Sequence, residues 1–188
     1  MRVLNLHGYK GSAENSMHHA LLRSMNMEVF SPQIDYDNIM PKTLLRILTD
    51  CYEEYSCQAV SGTSVGGFFA LQICVLKKCP TIVVNPCLLP FVYLPRLGYK
   101  NEKGILQFTE LLGNLTGLDK NLISSVIGEK DELIDTHDYT KAMLFNSRYI
   151  TVPNGKHSGF TLPLDEIFSE HINDFLEIKQ NKQRNDKP

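Results

Sequence analysis

Residues 57–76 read CQAVSGTSVGGFFALQICVL, and this stretch decides the fold. Cys57 to Ser61 is short and apolar enough for a buried strand, whereas Val65 to Leu76 is apolar almost all round, with Gln72 its one polar side chain. A helix of that composition is buried on most of its surface and lies in the middle of a domain. Between the two sits Gly62-Thr63-Ser64-Val65-Gly66, a G-x-S-x-G pattern. Two glycines and a serine are common residues, so the pattern gains its meaning from its place at a strand-to-helix junction. A sharp turn there projects the serine, and glycines are needed on either side because side chains would collide with the neighbouring strand and helix. The competing reading is a helix N-cap, where Ser and Thr are favoured in any case.

Working outward, strand-like and helix-like segments alternate on both sides of this unit. Strands are expected at Val3 to Leu6, Met27 to Phe30, Cys57 to Ser61, Thr81 to Val84, Leu122 to Ile127 and Tyr149 to Val152. Helical patterns fall at residues 14–25 and after Pro41, with Leu44, Leu48, Cys51, Tyr52 and Tyr55 on one face. A last helix carries Leu164, Ile167, Phe168, Ile172, Phe175 and Leu176 at helical spacing. Such alternation predicts an α/β fold: a three-layer α/β/α sandwich around a mostly parallel sheet of about six strands. Residues 1–176 form the domain, with an insertion over about 87–120 expected to act as a small lid and to hold one short helix near Ile105 to Leu112. The Cys87 to Pro95 run within it is read as interrupted by Pro90. Residues 177–188 have lost their periodicity and are expected to be a flexible tail.

Composition removes other classes. With 19 basic and 21 acidic residues well mixed along the chain, the net charge of −2 argues against nucleic acid as the main partner. The longest apolar run is broken by proline, so no membrane span is expected, and MRVLNLHGYKGS reads as a strand, not a secretion signal. Five cysteines without a CxxC pair, most of them in apolar stretches, fit reduced core residues of a cytoplasmic protein. No metal or organic cofactor is implied.

If Ser64 is a nucleophile, a base and an orienting acid must follow it, because a serine hydroxyl at its ordinary pKa attacks poorly. Of six histidines, His18 and His19 fall in an early helix, His137 at a polar helix start where solvated histidines are common, and His171 beside the apolar stripe of the last helix. His157 lies in the loop NGKHSGF past the sixth strand, at the carboxyl end of the sheet where ligands bind in such folds. The acid is sought in GEKDELID after the fifth strand. Asp131 is preferred for its closeness to the strand end, and Asp135 is explained as an N-cap of the next helix. The order Ser64, Asp131, His157 is that of a nucleophile-elbow hydrolase.

The opening strand with His7-Gly8-Tyr9, GTSVGG at the turn, Asn85-Pro86 after the fourth strand, GEKDELID and NGKHSGF together resemble the α/β-hydrolase superfamily, and within it the small YqiA-like esterases. The similarity runs over roughly residues 1–176 and rests on short motifs. It implies a minimal α/β-hydrolase fold, beginning at the strand that larger relatives call their third. The resemblance further implies an oxyanion hole from the backbone N–H groups of Tyr9 and Val65, with His7 shaping that loop and not serving as a second base. The expected activity is cleavage of a small-molecule carboxylic ester or thioester by a Ser64, His157, Asp131 triad. Leu88, Leu89, Phe91 and Tyr93, with Val92 and Leu94, either line an acyl pocket or pack the lid onto the sheet. A non-catalytic binding or interaction protein that retains the pocket is the alternative, and a peptidase or carbon–carbon hydrolase would share the triad.

Overall fold

The computed structural model describes residues 1–23, 27–135 and 137–170. Strands β1 (Arg2–Leu6), β2 (Glu28–Phe30), β3 (Ala59–Thr63), β4 (Thr81–Val84), β5 (Ile123–Gly128) and β6 (Arg148–Val152) make one sheet, all pairs parallel, in the order β2-β1-β3-β4-β5-β6. Every strand therefore ends at the same edge, and the loops that follow β1, β3, β4, β5 and β6 gather there. The strand β3 runs two residues beyond its expected end, because its ladder continues until Thr63 stands opposite Val84. The turn after it is consequently a single residue, Ser64.

Alternation along β1 splits the core. Leu4 and Leu6 face a large cluster with α2 (Pro41–Glu54) and α3 (Val65–Lys77), while Val3 faces a smaller one with α1 (Ser16–Arg23). The latter also takes Leu164 and Phe168 from a helix spanning 164–170. Ile172, Phe175, Leu176 and His171 lie outside the described residues, as does the 177–188 segment. Asn15 starts α1 by accepting the His18 N–H at 2.8 Å, and Pro41 supplies the preset first turn of α2. From Val65 to Cys74 every residue of α3 is buried. Gln72, the one polar residue of this buried part, is satisfied by the Leu111 carbonyl at 2.8 Å and the Asn114 amide at 3.1 Å. The helix stops where Lys78 turns left-handed, with φ 49°.

The 87–120 insertion is more ordered than its sequence suggests, with two helices, α4 (Pro90–Arg96) and α5 (Glu102–Leu112), followed by two 3-10 turns. Pro90 does not interrupt the run but starts α4, where a missing N–H costs nothing. The α4 helix ends in a Schellman motif: Tyr99 N–H bonds Leu94 O at 3.0 Å, Gly98 N–H bonds Pro95 O at 3.1 Å, and Gly98 has φ 95°. Phe108 of α5 packs edge-on against Phe68 and Phe69 of α3, so the insertion shares the main core. Between β5 and β6 lies a short helix, α6 (Asp138–Met143). Among the described residues no helix is long and apolar enough to cross a membrane.

Candidate active site

Ser64 links β3 to α3 with φ 55° and ψ −123°, a conformation that L-residues rarely adopt and that costs of order 1–3 kcal/mol. Its surroundings hold it there. Its N–H donates to Val84 O at 3.0 Å, and its carbonyl accepts from the amides of Gly67 and Cys87, both at 2.9 Å. The flanking glycines are required by contact. A Cβ on Gly62 would stand 2.3 Å from Gly66 O, and one on Gly66 would stand 2.2 Å from Leu6 O.

The loop after β1 runs over the serine: a Cβ on Gly8 would be 2.9 Å from Ser64 Cβ and 3.4 Å from its Oγ. His7 shapes this loop from within. Its buried ring accepts the Ile34 N–H at Nε2 (2.8 Å), so Nδ1 carries the proton and donates to Gly8 O at 2.7 Å. Burial pushes its pKa down, as expected for a neutral structural imidazole. Tyr9 turns outward, donating its hydroxyl to Asp37 at 2.7 Å.

On the other side of the turn, His157 Nδ1 lies 2.9 Å from Asp131 Oδ2 and 3.0 Å from Oδ1. A carboxylate only accepts, so Nδ1 bears a proton, and whenever the ring is neutral Nε2 carries the lone pair. The His157 backbone N–H is held by Glu132 Oε2 at 3.1 Å. Asp131 folds its own loop back by accepting the amides of Leu133 and Ile134, each at 2.9 Å. Burial by itself raises the carboxyl pKa. Hydrogen bonds from His137 and His157, the charge of His157 and the Ile134 amide outweigh it and hold Asp131 well below the usual carboxylate range.

The structure thus brings Asp131 to His157 and not Asp135. Asp135 does not cap α6, whose preceding residue is His137. It accepts instead from the Tyr93 hydroxyl at 2.8 Å, with Arg96 at 3.6 Å, and so fastens the acid loop to α4. The Ser64 hydroxyl makes no hydrogen bond to His157. Leu88, Tyr93 and Leu94 are buried in the main core cluster, while Leu89, Phe91 and Val92 are partly exposed against it.

Two side chains that bond to the candidate site escape the sequence reading. Asn85, with φ 43°, accepts the Gly128 N–H at 2.7 Å and donates to the carbonyls of Lys156 and His157 at 2.8 and 3.0 Å. It ties the ends of β4 and β5 to the His157 loop, and the Asn-Pro pair closing β4 was its one visible signal. His137, expected to be solvated, is buried with Nε2 3.0 Å from Asp131 Oδ2.

A family profile described as an uncharacterised protein family, UPF0227, matches residues 2–179. The chain belongs to this family. No curated protein matches the sequence. Among solved structures, the chain is similar to the α/β-hydrolase enzyme MGS-MChE2 from the metagenome of sediments from the lagoon of Mar Chica, Morocco. Identity is 13%, with 95% of this chain and 92% of that chain covered and a TM-score of 0.66. A structure of the metagenome-derived lipolytic enzymes LipS and LipT gives 14% identity, 94% and 93% coverage and a TM-score of 0.67. A predicted CIB-like hydrolase from Thermoplasma acidophilum gives 15%, 93%, 85% and 0.61. These likenesses, with the parallel strand order described above, give this UPF0227 member the α/β-hydrolase fold.

Proposed function

We propose that the protein is a serine hydrolase that cleaves small-molecule carboxylic esters or thioesters through an acyl-enzyme on Ser64. The observation that carries this reading is the His157 Nδ1 contact to the buried Asp131 carboxylate, at the sheet edge where Ser64 occupies its strained turn. His157 Nε2 takes the Ser64 proton as Oγ attacks the acyl carbonyl. Asp131 fixes the ring's tautomer and stabilises the imidazolium, which then gives its proton to the leaving alcohol or thiol. Water, deprotonated by the same ring, releases the acid.

The tetrahedral oxyanion is assigned to the backbone N–H groups of Val65 and Tyr9. Val65 is the first residue of α3, where helix geometry leaves the amide without an intrahelical acceptor, and the Gly8 approach lays the Tyr9 loop beside Ser64. Of Leu88, Leu89, Phe91 and Tyr93, the partly exposed Leu89 and Phe91 retain apolar surface for an acyl group, and Leu88 and Tyr93 support them from the core. A fluorophosphonate probe tests the reading. Wild-type protein is expected to be labelled at Ser64 and Ser64→Ala to be unlabelled. Equal labelling of the two, or none of either, removes the enzymatic assignment in favour of a pocket that only binds.

A further inference from the structure

We propose that His137 is a positioning residue of this site, donating its Nε2–H to Asp131 Oδ2 and thereby fixing the carboxylate that orients His157. The inference rests on the Ser64, His157, Asp131 reading and adds a fourth side chain to it.

The Asp131 side chain is only 1% exposed, so its oxygens must be satisfied by protein donors. Oδ1 takes the two amides of Leu133 and Ile134. Oδ2 would otherwise have His157 alone, and that donor lies almost equally near both oxygens, 2.9 and 3.0 Å, so it does not by itself select one. His137 supplies the missing donor at 3.0 Å from a ring that is 6% exposed. Because a carboxylate only accepts, the proton at this contact belongs on Nε2, and Nδ1 faces the buried Thr140 hydroxyl, which can donate to it, at 3.4 Å. A histidine that merely fills space needs any polar partner. This one is bonded to the same oxygen that receives His157.

The effect on His157 has a definite sign. A donor on Oδ2 draws negative charge toward itself. Without it, that charge faces His157 undiluted and holds the imidazolium more tightly, so His157 titrates at higher pH. The other ionisable groups facing the cluster do not reverse this. Glu132 is kept anionic by the His157 N–H, and burial pushes the Cys87 thiol up to about 12, leaving it neutral.

The experiment compares His137→Phe and His137→Gln with wild type by two readouts: the ¹⁵N-histidine NMR titration of His157, and kcat/KM against pH on a short-chain p-nitrophenyl ester. Losing one hydrogen bond to a charged group predicts a roughly 10- to 100-fold fall in kcat/KM for His137→Phe. The His157 titration and the acid limb of the profile should both move up. His137→Gln, whose amide can donate to the same oxygen, should restore most of the activity and return the titration toward wild type. An unmoved His157 titration in folded His137→Phe, or a His137→Gln chain as impaired as the phenylalanine variant, overturns the role of His137. The NMR arm needs no turnover. A wild-type chain that hydrolyses no ester therefore counts against the proposed function, and an unmoved titration counts against His137 with the hydrolase reading intact.

Discussion

The closest contact in the site offers the sharpest perturbation, Gly66→Ala. A methyl group there would stand 2.2 Å from Leu6 O, 2.5 Å from His7 O and 2.7 Å from Leu6 C. All three are backbone atoms, so no side-chain rotation can relieve the overlap. Restoring ordinary carbon–oxygen contact requires about 1 Å of separation between the start of α3 and the end of β1, and overpacking of this kind costs roughly 1–3 kcal/mol. The displaced segment leads into Gly8 and Tyr9, so the N–H groups of Tyr9 and Val65, the proposed oxyanion donors, would part as well. A misplacement of about 1 Å in reacting geometry costs on the order of 100-fold in rate. Gly66→Ala is therefore expected to unfold at lower denaturant concentration and to lose about two orders of magnitude in kcat with a smaller change in KM. Gly113→Ala is the control. It sits in helical backbone with nothing within 4 Å of the added methyl, and should gain a few tenths of a kcal/mol. Urea melts and ester kinetics on the two variants measure both effects. A Gly66→Ala protein with wild-type stability and kcat would refute the packing argument for the turn.

Two further outcomes follow from the acid loop. Asp131→Asn should lower kcat by roughly 10³- to 10⁴-fold, because an amide can no longer hold the His157 tautomer, whereas Asp135→Asn, which loses the exposed ion pair with Arg96 and keeps an oxygen to accept from Tyr93, should stay within about 10-fold of wild type; the reverse order would transfer the acid role. Since the folded protein holds the Asp131 carboxyl below its unfolded value, its contribution to stability is complete above about pH 4 and drains away as the pH falls toward the folded value, so acid unfolding of Asp131→Asn should be visibly less steep than that of wild type, and identical acid melts would contradict it.

What could be read from the sequence was local or set by backbone contact. The glycines at 62 and 66 are legible because any Cβ there collides with main chain, and α3 is legible because a stretch such as Val65 to Leu76, with one polar residue, has nowhere to lie but inside. Asp131 was preferred over Asp135 for its closeness to the strand end and because Asp135 read as a helix cap, and the fold sets Asp131, not Asp135, beside His157. The partner of His137 was hidden because it depends on the loop folding back through the Leu133 and Ile134 amides, a turn with no distinctive residue pattern. Asp135 looked like a cap since its sequence neighbours are helical, but its bond is to Tyr93, 42 residues away. Pro90 misled in the opposite direction. A proline breaks a helix it interrupts and starts one it precedes, and only the packing of Leu94 and Tyr93 beneath it decides between the two.

The connections between loops separate two tasks. Asn85 is a single side chain that bonds the end of β5 and the His157 loop, while Ser64 is fixed by Val84 and Cys87 on either side of it. The relative placement of Ser64, Asp131 and His157 is therefore set by β4 and the turn that closes it, elements buried on both faces. The insertion meets the acid loop farther out, through Tyr93, Arg96 and Asp135, and meets the Tyr9 loop through a Lys10 bond to Leu97 O at 2.8 Å and the edge-on Tyr9 and Tyr99 rings. The Arg96 and Lys10 contacts are more exposed than those of Asn85 and cost correspondingly less to break. Under the proposed mechanism, α4 and the partly exposed Leu89 and Phe91 can be reshaped to admit a different acyl group while Asn85 keeps His157 and Asp131 in register with Ser64. Specificity and chemistry then reside in parts of the fold held by different bonds.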